Sequence, residues 1–366
     1  MTTTIKDITS YLESLAPVSS QESYDNCGLI VGDQNNAVTN ALLTLDCTEQ
    51  VVDEAIESGT NLIIAHHPIV FKGLKKITGK NYVERTILKA IKNDIAIYAI
   101  HTNLDNYIDG VNAEIGQRLG LENLKILAPK KQALHKIVVF VPSEAGEKVA
   151  QAMFDAGAGT IGNYSECSFE IEGTGYFKPS TQANPAIGKS GERASVSEKR
   201  IEVICSPHQT TAVLSAMKSA HPYEEVAHDV YELWNENQYE GAGMYGELPQ
   251  PMESKTFLNK VKTTFNCGCI RHTDLVKKEI KRVAFCGGSG SFLLPQAKRV
   301  KADIYLTGDF KYHEFFDAEN DIIIADIGHY ESEQFTPNLI HAVLKKKFIN
   351  FAVRLSKVST NPINYL

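Results

Sequence analysis

NLIIAHHPIVF, residues 61–71, sets two histidines at the end of a short apolar run, with a proline directly after them. Successive side chains on a strand point to opposite faces, so a strand running through both would aim only one imidazole at a common site. The strand must therefore stop at Ala65. Pro68 agrees with that boundary. It cannot donate to a sheet ladder, and it biases the residue before it toward extended or turn backbone. His66 and His67 then sit on the loop that leaves a buried strand, free to converge.

The same pattern continues outward. VTNALLTLD (38–46) reads as a strand and EQVVDEAIESG (49–59) as a helix, while a helix over YVERTILKAIKND (82–94) precedes a strand IAIYAI (95–100). Short buried runs alternating with helices predict a parallel sheet covered on both faces. The pattern returns late, with strands RVAFCG (282–287), ADIYLTG (302–308) and DIIIADIG (321–328). Helices are expected over FLLPQAKRV, around DFKYHEFFDAEN, and over TPNLIHAVLKKKF (336–348), where Pro337 takes the favoured first turn.

The middle differs. It reads as strand HKIVVFVP (135–142), helix SEAGEKVAQAMFDAG (143–157) capped by Ser143, and SECSFEIEGTGYFKPS with strand-like alternation around a Gly-Thr-Gly turn. Strand RIEVICSP (200–207), helix TTAVLSAMKSA (210–220) and strand VAHDVYEL (226–233) complete a ferredoxin-like β-α-β-β-α-β order. PSTQANPAIGKSGERASVSEK (179–199) should be an exposed loop. The fold class is thus α/β: a two-part domain with mostly parallel sheets, 1–133 and 237–366, interrupted by an α+β insert at 134–236. Exposed loops of a finished domain are where such insertions succeed.

Composition sets the limits. A length of 366 residues favours two domains, and 43% hydrophobic with 22% charged residues describes an ordinary globular chain with ample core. The net charge of −7 disfavours a sequence-independent nucleic-acid binder. At the N-terminus, Ile5, Ile8, Leu12 and Leu15 fall at helical spacing between acidic residues, unlike a signal peptide, and no stretch approaches a membrane span. The seven cysteines are scattered, with a lone CxC at Cys267 and Cys269, and read as reduced thiols of a cytoplasmic protein.

In an open α/β sheet, ligands gather outside the carboxyl ends of the strands. The loops leaving four of these strands carry a distinctive set: His66 and His67, then His101 and Asp105, then Asp309 and His313, then His329, Glu331 and Glu333. One strand-end histidine is most simply a hydrogen-bonded structural residue. Five of the chain's eleven histidines in four loops at one sheet edge point instead to metal. His, Asp and Glu without Cys suit a divalent first-row ion such as Zn, Fe, Mn, Ni or Co. Three imidazoles and two carboxylates exceed the needs of one catalytic ion and fit two, held ~3.5–4 Å apart. In CGGSGSF (286–292), the backbone N–H groups of Gly287, Gly288, Ser289 and Gly290 could hold a phosphate at a helix start. An ordinary strand-to-helix turn that needs glycine dihedrals fits equally well.

HHP at 66–68, HTNLD at 101–105, GGSG at 287–290, TGDFKYH at 307–313 and DIGHYESE at 326–333 resemble the Nif-three-like family, whose bacterial members are commonly labelled GTP cyclohydrolase 1 type 2 homologs. YDNCGL at 24–29 is similar to the family's W-D-N-x-G-L, with Tyr24 in place of Trp. GTGYFKP at 173–179 and AHPYEE at 220–225 resemble the PII/CutA-like insert of the longer bacterial members. The resemblance implies two divalent metal ions per subunit, one held by His67, Asp105 and Glu333, the other by His66 and His329 with Glu333 bridging. His101, Asp309, His313 and Glu331 would then orient ligands or handle protons. It also implies a toroidal homohexamer.

The chemistry expected is hydrolysis of a nucleotide or phosphoester through a metal-bridging water. The competing class is a non-catalytic metal-binding or regulatory oligomer whose insert senses a small ligand. HPYEE (221–225) is the segment that would serve it, unless it is simply a helix stop and a solvated acidic turn.

Overall fold

The computed structural model describes residues 3–131 and 134–366. It is a mixed α/β fold with three sheets, and the chain divides into two compact units, Met1–Pro129 with Tyr239–Leu366, and Lys130–Gln238. The junction expected between 133 and 134 touches residues 132 and 133, which lie outside the described residues.

In the first unit, one sheet runs in the order Gly28–Val31, Ala96–Ala99, Leu62–Ala65, Ala41–Thr44, Val353–Leu355. All its ladders are parallel except that of the edge strand Gly28–Val31. Alternate residues explain the unbroken apolar runs. Leu42, Ile63 and Ile97 pack with Val51, Val52 and Ala55 of helix Glu49–Glu57 and with Ile87 and Ala90 of helix Tyr82–Lys92. Leu43, Leu62, Ile64 and Tyr98 face the opposite core. A strand buried on both faces has no polar side to show.

The second sheet orders Arg271–His272, Ile323–Asp326, Ile304–Gly308, Glu279–Ser289, Glu236–Glu253 and Glu122–Lys131, with its second, third and fourth strands parallel. Val283, Phe285, Ile304, Leu306 and Ile323 join the same core as Leu43, Ile64 and Tyr98, so the two sheets share one interior. The strand expected over 282–287 runs from Glu279 through Ser289. The stretch around DFKYHEFFDAEN forms a 3₁₀ helix, Tyr312–Ala318, closed by Glu319 in left-handed backbone. The N-terminal helix Ile5–Leu15 is held by a reciprocal cap between Thr4 and Asp7.

The second unit has a four-stranded antiparallel sheet ordered Ser168–Phe177, Ala194–Cys205, Leu134–Pro142, His228–Leu233. Helices Gly146–Asp155 and Thr210–Ala220 cover one face, packing Val149, Met153, Val213 and Met217 on Ile137, Val139, Ile201 and Val203. The loop expected over 179–199 gives way to strand at Ala194, and two further local expectations fail here. Ser143 does not cap the helix; it opens a 3₁₀ turn, Ser143–Ala145, and its hydroxyl lies 3.2 Å from that of Ser197. Gly-Thr-Gly is no turn either, because the strand runs straight through it, with Gly173 opposite Glu198 and Gly175 opposite Val196. A Cβ at Gly175 would collide with the Glu198 carboxylate, so glycine there makes room for a side chain.

Among the described residues no helix is long and apolar enough to cross a membrane. All seven cysteines are free.

Candidate metal centre

Strand Leu62–Ala65 ends where its sequence says it should. The next two N–H groups still donate to the neighbouring strand's end, His66 to Thr44 O at 3.1 Å and His67 to Leu45 O at 2.9 Å. The backbone stays anchored while both side chains leave the sheet. His66 is fully buried, and its Nδ1 donates to Ile100 O at 2.8 Å, which makes Nε2 the lone-pair nitrogen. That Nε2 is buried with no hydrogen-bond partner. Its nearest polar neighbours are Asp105 Oδ1 at 3.5 Å and Glu333 Oε1 at 3.8 Å, and Asp105 Oδ1 is itself buried and unpartnered.

Three more imidazoles are tied by the same nitrogen. Nδ1 lies 2.8 Å from Asp46 Oδ1 in His67, 2.9 Å from Asp25 Oδ1 in His101, and 2.7 Å from Asp309 Oδ2 in His329. Every Nε2 is thereby turned inward. His67 and His329 bring theirs to 3.3 Å of each other and to 3.0 and 3.1 Å of Glu333 Oε2. His329 and Glu333 open and close the short helix His329–Glu333, four residues apart and so on one face.

The charges reinforce this geometry. Burial alone would pull His67 down, but its hydrogen bonds to Asp46 and Glu333 outweigh that and push it up to about 10. The same contest, with Asp309 and Glu333 as partners, takes His329 to about 11. Against burial, the nearby imidazoles, His329 foremost, hold Glu333 well below the usual carboxylate range. Asp105 goes the other way, pushed up by burial and by the charge of Glu333. The site therefore demands positive charge and, ion-free, draws it from protons.

Orphaned nitrogen and oxygen lone pairs aimed at one point are what a metal site needs and what a buried polar network avoids. Three trios could each hold an ion: His66, Asp105 and Glu333; His67, His329 and Glu333; and His66, His67 and His101. The five expected ligands are thus brought together, and their side chains pair differently from the expected division. Glu333 Oε1 faces His66 with Asp105, and Oε2 faces His67 with His329. His66, on the buried side, shares Asp105 in place of His67.

The remaining candidates separate. Asp309 holds His329, and His101 stands within 5.2 Å of the His66 and His67 rings. Glu331 is buried but turns to Asn361 (3.4 Å), and it belongs to none of the three trios. His313 is exposed on the 3₁₀ helix, against Tyr312 and Phe316. The phosphate reading of the glycine loop weakens, because Gly287 N–H already donates to Asn112 Oδ1 (3.0 Å) and Gly288 N–H to Ser332 Oγ (2.9 Å). Gly288 has φ +62°, and a Cβ there would collide with Glu333 Oε1. Its glycine lets the bridging carboxylate approach. Two residues were missed, Asp25 and Asp46. Asp46 closes LLTLD just as the twin histidines close NLIIA, and that position was its signal. Above the centre lies a cavity of about 680 Å³ walled by residues of the first unit.

Residues 3–362 match the family described as Duf34/NIF3 (NGG1p interacting factor 3). The chain belongs to the DUF34/NIF3 family. It is 41% identical over 359 residues to a Halalkalibacterium halodurans protein named GTP cyclohydrolase 1 type 2 homolog, covering 97% of this chain and 96% of that one. A Bacillus subtilis protein of the same name is 39% identical, with 99% and 98% covered. Among solved DUF34/NIF3 structures, a Bacillus cereus protein related to NIF3 superposes over all of both chains with a TM-score of 0.87 at 39% identity.

Proposed function

We propose that this chain is a dinuclear, divalent-metal-dependent hydrolase acting on a nucleotide or phosphoester, in keeping with the cyclohydrolase name its relatives carry. The observation that supports it most is the buried, unpartnered Nε2 of His66 facing the unpartnered Oδ1 of Asp105. In this reading His66, Asp105 and Glu333 would hold one ion, and His67, His329 and Glu333 the other. A pair of divalent ions held there, Zn, Fe, Mn, Ni or Co, would supply Lewis acidity for hydrolysis near neutral pH. Asp46, Asp25 and Asp309 keep the imidazoles in one tautomer and orientation. His101, held from behind by Asp25, presents Nε2 beside the ligand histidines and is placed to accept a proton there.

The proposal extends to a toroidal homohexamer, to cytoplasmic residence, and to residues 134–236 as a PII/CutA-like domain inserted between 1–133 and 237–366. The β-α-β-β-α-β order of the second unit supports the last point. The test is to load the protein with each metal and incubate it with nucleotides and phosphoesters. Ring opening or phosphate release that vanishes in Glu333→Ala and His66→Ala is the expected result. Two tightly bound ions with no turnover on any substrate would overturn the enzyme and leave a regulatory metal-binding oligomer.

A further inference from the structure

Resting on that dinuclear reading, we infer that the cavity takes a flat, ring-bearing ligand with at most one anionic group and discriminates against a nucleoside triphosphate. Among the described residues that line it, none is Lys or Arg. Four are carboxylates: Glu22, Asp46, Asp105 and Glu333. Two divalent ions bring four positive charges against those four negative ones, so nothing is left over for a polyphosphate. Sites for phosphoryl chains surround them with Arg, Lys or helix-start N–H groups beyond the metals. In the glycine loop, the Gly287 and Gly288 N–H groups are already spent on Asn112 and Ser332.

The walls carry the other half of the inference. Tyr24, Phe71, Tyr82 and Phe292 line the cavity and remain 47–64% exposed. The Phe71 ring stands 5.6 Å from that of His101 at an interplanar angle of 74°, so the two rings are not stacked on each other. Exposed aromatic faces around a polar floor suit a planar heterocycle whose polar end reaches the ions. A nucleoside or nucleoside monophosphate has that shape and charge.

The test is calorimetric titration of metal-saturated, dialysed protein with guanosine, its 5′-monophosphate and its triphosphate, with metal content read separately by mass spectrometry. The monophosphate should bind at least about tenfold more tightly than the triphosphate. Phe71→Ala and Phe292→Ala should each weaken it about tenfold while the metal content stays unchanged. Ile363→Lys, which places a cation in the wall, should strengthen triphosphate binding about tenfold. Equal or tighter binding of the triphosphate by the unaltered protein, no response to either Phe substitution, or no binding of any of the three overturns the inference. A missing ion would count against the dinuclear centre, and bound ligand without turnover against hydrolysis alone, so the three failures are distinguishable.

Discussion

His66 and His221 are both buried, at 0% and 7% exposure, yet they do opposite things. His221, at the end of helix Thr210–Ala220, satisfies both ring nitrogens: Nε2 donates to Phe140 O and Nδ1 accepts the Tyr223 N–H, each at 3.0 Å. Burial also lowers its pKa and favours the neutral ring. His66 satisfies one nitrogen and leaves the other facing two carboxylates. Burial does not separate a structural histidine from a ligand. The accounting of its second nitrogen does.

Substitution tests that contrast directly. If the centre holds two ions as proposed, His66→Ala should lower metal content to about one per chain, with the remaining ion bound more weakly, as read by mass spectrometry. His221→Ala should leave metal content untouched and cost about 1–3 kcal/mol of stability, read by denaturant unfolding of the whole chain. If His221→Ala stripped metal as well, the distinction would fail. A smaller effect comes from protons. Their carboxylate partners push His67 and His329 up to about 10 and 11, which favours the charged rings at pH 7, so an incoming ion must displace the proton on Nε2. Metal uptake should therefore release roughly two protons and tighten as pH rises from 7 toward 10. Calorimetry in two buffers of different ionisation heat measures that number, and a buffer-independent heat would contradict it. The smallest effect sharpens the picture. Thr360 donates to Asp46 Oδ2 at 2.7 Å while Asp46 Oδ1 orients His67. Thr360→Val should weaken metal binding by about three- to tenfold, below the roughly 10–100-fold expected when a direct partner of a ligand is removed. Competition dialysis distinguishes the two ranges.

The parallel strands and the strand-end clustering were legible because apolar runs buried on both faces end abruptly, and NLIIAHHP marks its own boundary with a proline. Contacts across the chain left no such mark. Asp25 reaches His101 across 76 positions, and nothing in YDNCGL announces it. His313 sits just past a strand, as the ligands do, but the 3₁₀ helix turned it outward, a choice of half a turn that spacing does not encode. Gly-Thr-Gly signalled a turn because glycine usually means backbone freedom; here it meant space for Glu198. Which of His66 and His67 lies beside Asp105 is hidden for a related reason. Neighbouring residues diverge, and only the fold decides which one looks toward Asp105.

Glu333 carries both poles of the centre on a single carboxyl group, wedged against the bare backbone of Gly288. On the dinuclear proposal, an ion that fixes that carboxyl plane at one pole would also prepare the seat at the other. The coupling is reciprocal by thermodynamic necessity. Filling should then be steep with metal concentration, populating empty and fully loaded chains at the expense of the half-loaded one.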